Sequence, residues 1–187
     1  MSSLMPVVTK RTSTFYSSCS EEKRDQIDIA VRAAKFSVRP SLLVALAKIS
    51  ADEARKIFKS VTGTNPVKGQ LPSDVSFYVA DHSNHFESTW LVKAYKRLTI
   101  ETDDHYQQCN CMLTAYEQYL ETFPNPMLSF ERFHFLIRMS CFAKEIKIGN
   151  CQECNSIRLI VKSFEYRKST KCPVCNLAHH ILEQEVQ

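Results

Sequence analysis

Near the end of the chain, Cys151-Gln-Glu-Cys154 is followed, after 17 residues, by Cys172-Pro-Val-Cys175. A two-residue gap lets both sulfurs of a pair turn toward one point, and two such pairs at this separation fit a four-thiolate zinc site. Tetrahedral Zn²⁺ takes four such ligands at about 2.3 Å each. The competing readings are two disulfides, or buried thiols that happen to recur; a single Cys-x-x-Cys also serves as a redox pair. The intervening segment favours metal. Ile157 to Phe164 is β-branched and apolar and reads as a strand leaving the first pair. Glu165 to Lys171 is polar and returns the chain to the second. Four thiolates fill the coordination sphere, so such a site is structural and leaves no position for water or substrate. One zinc ion there contributes folding energy to a tail too small to hold itself. His179 and His180 stand close behind as rival ligands, but four thiolates suffice.

The chain has 187 residues, enough for one ordinary domain and a small appendage. Hydrophobic residues make up 44% and charged ones 24%, which fits a soluble globular protein. Residues 1–20 lack the apolar core of a secretory signal. The longest apolar run near the start, Leu42 to Ala47, is far short of a membrane span. A cytoplasmic chain without membrane contact is expected. Eight cysteines in a reducing compartment favour metal over disulfides. No Ser/His/Asp set, glycine-rich phosphate loop or His-Glu metal motif appears, so the chain is not expected to be an enzyme.

Residues 1–20 read as a flexible arm. Residues 21–63 read as a helical, helix-turn-helix-like segment. In it, Ile27, Ala30, Val31 and Ala34 share one face of a first helix over 21–36. Pro40 opens a second. Ser50, with Glu53 three residues on, is a capping box for a third, which runs from Ala51 to Val61 and closes near Gly63. Residues 64–148 form a central helical region, entered through a loop containing Pro66, Gly69 and Pro72. There Phe86, Trp90, Ala94 and Leu98 repeat at four, with Leu91 and Tyr95 alongside, as one helical stripe. His82 and His85 read as a polar first turn in preference to a metal pair. Tyr106, Cys109, Leu113, Tyr116 and Leu120 form the stripe of a helix over 103–122, with Cys109 as a core thiol. Leu128 to Ile146 reads as a further helix, so apolar that it is buried on several sides or packed on another subunit. Residues 149–187 are the zinc-binding tail. The expected fold class is mainly α, with helical N-terminal and central regions and a small ribbon-like four-cysteine domain at the C-terminus.

The turn around Ile49 sets two short helices in the order a helix-turn-helix needs. Lys48 stands where a glycine usually takes the left-handed turn conformation, and Val44 where a small alanine usually allows close packing. From Arg32 to Lys68 there are eight basic residues and two acidic ones. Arg55, Lys56 and Lys59 lie off the apolar face formed by Ala54, Ile57, Phe58 and Val61. They are candidate contacts to duplex DNA, joined by Lys48 at the turn. Arg158, Lys162, Arg167, Lys168 and Lys171 add candidate phosphate contacts from the tail. A helical hairpin with a solvated basic face, in a zinc-ribbon scaffold that does not read DNA, is the alternative.

These residues resemble the FlhC family of bacterial transcriptional activators. The resemblance rests on Ile49-Ser50 at the turn, the basic helix ending at Gly63, Pro66-x-Lys68-Gly69-x-Leu71-Pro72, the aromatic-rich helices that follow, and Cys151, Cys154, Cys172 and Cys175. It implies a mostly helical fold with a zinc-binding C-terminal domain, the four cysteines being the ligands. It also implies binding to promoter DNA and assembly with a small helical FlhD-like subunit into a hetero-oligomer that activates transcription, with RNA polymerase as a further partner. Phe77 and Tyr78 follow the Leu-Pro here, with no Trp before Trp90, and the strongly basic C-terminal extension of flagellar members is missing. The genes controlled are therefore flagellar ones or, as for related activator pairs, the transfer genes of conjugative elements.

Overall fold

Each of the first three helices begins where a local group satisfies its free N–H donors, or where there is none to satisfy. The computed structural model describes residues 20–66, 69–99, 104–162 and 172–175. Ser20 caps α1 (Glu21–Lys35), its hydroxyl accepting from the Lys23 N–H. Glu21 and Glu22 lie in the first turn and Arg32 and Lys35 in the last, each matching the helix dipole. Pro40 opens α2 (Pro40–Ala47) at the position that needs no N–H. Ser50 and Glu53 form both halves of the capping box on α3 (Ala51–Thr62), and Gly63, at φ 70°, closes it in the left-handed conformation. Lys48 takes the left-handed turn conformation between α2 and α3 although it is not glycine, at φ 51° and ψ 40°. Its ammonium lies over the Tyr106 ring, 5.4 Å from the centroid.

The chain divides into two compact units, one of residues up to 68 with 104–110, the other of 69–103 with 111 onward. In the first, α1 packs on both α2 and α3. Ala30, Ala33 and Ala34 are fully buried there, and their small side chains allow helices to approach closely. Helix α5 (His105–Thr122) contributes its opening turns to this unit. His105 Nε2 donates to the Leu46 carbonyl at 2.8 Å and the Cys109 thiol to the same oxygen at 3.4 Å. Burial pushes the Cys109 thiol up to about 11, so it stays protonated as a core thiol.

In the second unit, a 3-10 turn (Ser76–Val79) buries Tyr78, whose hydroxyl donates to the Arg132 carbonyl at 2.7 Å. Asp81 then caps α4 (His82–Leu98). The buried face of α4 is wider than the one its apolar spacing suggests and leaves out Phe86. Leu91, Val92, Ala94 and Tyr95 are inside, but so are Asn84, His85, Glu87, Ser88 and Thr89. Phe86 is exposed instead. The His82–His85 turn is correspondingly only half polar surface, since His85 is buried. On α5, Tyr119 replaces Leu120 as the core residue. The Tyr119 hydroxyl donates to the buried Glu87 carboxylate and accepts from the Leu128 N–H at 3.0 Å. Glu87 also accepts from the Met127 N–H at 2.9 Å, so the loop after α5 is tied to α4.

The helix expected from Leu128 to Ile146 is shorter. α6 (Phe130–Ile137) widens into a π-helical turn (Arg138–Phe142), and Lys144, left-handed at φ 53°, ends it. Phe130, Phe133, Leu136 and Ile137 are buried within this unit. Ile146 does not continue the helix but opens strand β1 (Ile146–Asn150), which pairs antiparallel with β2 (Ile157–Val161), Ile146 opposite Val161 and Ile148 opposite Leu159. Helical content is thus dominant and the only sheet among the described residues is this two-stranded one, a mainly α fold as the sequence suggests.

The cap on α3 has a pH signature. Glu53 is drawn down to about 2 from its ordinary 4.5, first by the Lys23 ammonium at 2.6 Å and then by its bonds from Ser50. Its folded value lies below the unfolded one, so its contribution is complete above about 4.5 and is lost as pH falls toward 2. The difference in chemical-denaturation stability between wild type and Glu53→Gln should shrink over that interval. At neutral pH, Ser50→Ala should cost about 1 kcal/mol.

Candidate functional site

The antiparallel hairpin brings the first cysteine pair to its tip. Cys151 follows directly on β1, and its N–H donates to the Ser156 carbonyl at 2.8 Å, while the Asn155 N–H returns to the Cys151 carbonyl at 3.0 Å. Asn155 turns the chain in the left-handed region at φ 56°. The resulting knuckle points Cys151 and Cys154 at the second pair, and the Sγ atoms of Cys151, Cys154, Cys172 and Cys175 all lie within 4.8 Å of one another. The Cys151–Cys175 and Cys154–Cys172 sulfurs are 3.8 and 3.7 Å apart. Metal–sulfur bonds of about 2.3 Å in a tetrahedron place sulfurs about 3.8 Å from each other. A disulfide would need about 2 Å. The four cysteines therefore form a cluster able to bind a metal ion.

Their electrostatics point the same way. The Ser156 hydroxyl lies 2.9 Å from the Cys154 sulfur and 3.0 Å from that of Cys172. Bonds from the Ser156 hydroxyl and N–H draw Cys154 down to about 6. Burial opposes ionisation of Cys172, but Ser156 and the N–H groups of Cys175 and Val174 outweigh it and its value is lowered. Cys175 is pushed up to about 12, first by the thiol bond it makes to Cys154 and then by burial. Ser156 and the neighbouring N–H groups thus favour the thiolate at Cys154 and Cys172, the form in which a cysteine ligates a metal. Ser156 is not marked by any spacing rule in the sequence; its role appears only when the knuckle folds back on the second pair.

The ribbon is seated on α4 by polar atoms. The Leu159 N–H donates to Thr89 Oγ1 at 3.1 Å, and the Leu159 carbonyl accepts from His85 Nε2 at 3.0 Å. Thr89 donates in turn to the His85 carbonyl at 2.7 Å. These contacts close the edge of β2 that faces away from β1. Burial lowers the pKa of His85, against the opposing pull of its bond to the Leu159 carbonyl.

The basic candidates fall on both units. Arg55, Lys56 and Lys59 are exposed on α3, opposite the buried Ala54, Ile57 and Phe58. Arg55 also pairs with Asp52 at 2.7 Å. A surface concavity of about 590 Å³ has Arg55 and Lys59 on its wall with Val44 and Pro66. Lys48 is exposed at the turn. On the second unit, Arg158 and Lys162 are half-buried on or just after β2. Arg167, Lys168 and Lys171 lie outside the described residues, as do His179 and His180. No helix among the described residues is long and apolar enough to cross a membrane.

A family model described as "Flagellar transcriptional activator (FlhC)" matches residues 16–184. The Flagellar transcriptional regulator FlhC of Nitrosomonas eutropha is 24% identical over 156 residues, covering 81% of this chain and 79% of that protein. That of Cupriavidus pinatubonensis is 23% identical over 157 residues, covering 79% and 70%. That of Yersinia enterocolitica is 25% identical over 163 residues, covering 83% and 80%.

The seat on α4 is testable without metal. Thr89→Val keeps the shape but strands the buried Leu159 N–H and frees the His85 carbonyl. It should cost about 1–3 kcal/mol of stability. Thr89→Ser, which restores the hydroxyl, should recover most of that loss in the same denaturation experiment.

Proposed function

The chain belongs to the FlhC family of flagellar transcriptional activators, a family of regulators and not of enzymes, and on that premise we propose that it is a zinc-containing, DNA-binding activator working in a hetero-oligomer with an FlhD-like subunit. The observation that carries the DNA reading is the exposed row Arg55, Lys56 and Lys59 on a helix fixed by its own capping box. Ile57 and Phe58 hold the opposite face of that helix inside the first unit, so the cations face outward. Such a helix reaches phosphates with its cations and places its first turns toward base edges. Arg55 is assigned to base reading and Lys56, Lys59 and Lys48 to phosphate. Arg158, Lys162, Arg167, Lys168 and Lys171 add phosphate contacts from the tail.

The metal is zinc, one ion per chain, held by Cys151, Cys154, Cys172 and Cys175. An all-sulfur, closed tetrahedral set suits zinc in a structural role, and it would fix the two ends of the ribbon to each other. The complex acts in the cytoplasm, recruits RNA polymerase at promoters, and controls flagellar or conjugative-transfer genes.

Elemental analysis of the purified protein should give about one zinc per chain, and Cys151→Ser should lose it and destabilise the ribbon. Full retention of zinc by that variant would overturn the ligand assignment. For DNA, promoter affinity is measured against salt in the intact complex. Lys59→Ala should reduce the slope of log K against log salt by about one. Lys168→Ala should weaken all sequences alike. Arg55→Ala should relax sequence preference, with a cost of about 1–3 kcal/mol confined to particular base pairs. Unchanged affinity and slope in all three would mean that the basic helix is a solvated face and the chain a scaffold.

A further inference from the structure

Helix α4 turns toward solvent a stripe that begins with two aromatic residues and ends with two cations, Phe86, Trp90, Lys93 and Arg97. Phe86 is 49% exposed. One turn on, Trp90 is half-buried and meets the Phe123 ring edge-on, with centroids 5.6 Å apart. Phe86 meets the same ring at 6.2 Å. Met127, 50% exposed, is held at this end of α4 by its bond to Glu87. Further along the same stripe, Lys93 and Arg97 are exposed one turn apart and line, with Trp90, a groove of about 260 Å³. The only carboxylate on α4 is Glu87, which is buried and engaged by Tyr119 and Met127. The outward face therefore runs from an aromatic platform to a cationic groove with no acidic residue of its own helix to balance it.

We propose that this face is the seat of an amphipathic helix bearing carboxylates, contributed by the partner subunit; the proposal rests on the hetero-oligomer reading above. From Phe86 to Arg97 the stripe is about 16 Å long, three turns of helix. That length suits a helix laid along it, with apolar anchors one turn apart on Phe86 and Trp90 and acidic side chains reaching Lys93 and Arg97. Aromatic side chains of this kind concentrate binding energy when an occupant excludes water from them.

Trp90 is the single tryptophan of the chain and so a built-in reporter. The chain, alone labelled with 5-fluorotryptophan, is titrated with the FlhD-like subunit of its host and followed by its one fluorine resonance. The expected result is a shift of that resonance, loss of its sensitivity to solvent, and assembly weakened about tenfold or more by the pair Lys93→Glu and Arg97→Glu. Phe86→Ala, at an exposed position that leaves the core intact, should weaken assembly in the same direction. If the subunit binds wild type and the double variant equally and the resonance stays still, the proposal is wrong while the hetero-oligomer reading stands. If no subunit binds the wild-type chain, that reading fails and takes the proposal with it. A resonance that moves on self-association or on adding duplex DNA, and not with the subunit, also overturns it.

Discussion

Four sulfur atoms within 4.8 Å of one another cannot all carry charge without a cation among them. The chain prepares for one from both sides. Ser156 and nearby N–H groups favour the thiolate at Cys154 and Cys172, while the thiol bond to Cys154, and then burial, raise the pKa of Cys175. A cluster of this sort is able to take up a metal ion. A two-stranded hairpin is at best marginal in water by itself and needs support from its surroundings.

The other support of the hairpin is the polar half of α4. An exposed strand edge invites pairing with foreign chains. Here the outer edge of β2 meets Thr89 and His85, which occupy the donor and acceptor of Leu159 as a neighbouring strand would. The same helix holds the loop after α5 through Glu87. α4 therefore gives its buried face partly to hydrogen bonding, and Phe86 is left exposed with Trp90 half-buried.

This division of labour explains what the sequence could and could not disclose. The caps at Ser20, Ser50 and Gly63 are local chemistry, and α1 and α3 begin and end within a residue or so of where that chemistry puts them. The four cysteines are equally legible because metal geometry constrains their spacing. The face of α4 is not, because hydropathy cannot see that a threonine or a histidine will find a backbone partner on a strand some seventy residues away. β1 is hidden for a related reason: its two isoleucines make too short an alternation to stand out from the helix before them, and only pairing with β2 decides the matter. Lys48 shows the reverse case, a residue that departs from the usual glycine while its backbone keeps the glycine's conformation.

The wide turn at Arg138–Phe142 has a consequence for how this chain can vary in length. The Ala143 N–H reaches back five residues to Arg138 at 2.9 Å, where an α-helix would reach back four, so the turn accommodates one extra residue. A strand counts in twos, and a slip of one sends every side chain to the opposite face. Deleting a single residue from this turn would let it close as an ordinary α-helical turn and leave Ile146 and Ile148 opposite Val161 and Leu159, whereas the same deletion inside β1 would slip that register. Substitutions within the turn leave that count unchanged. Insertions and deletions do not, but a single deletion can be absorbed within the wide turn and not within the strands that follow it.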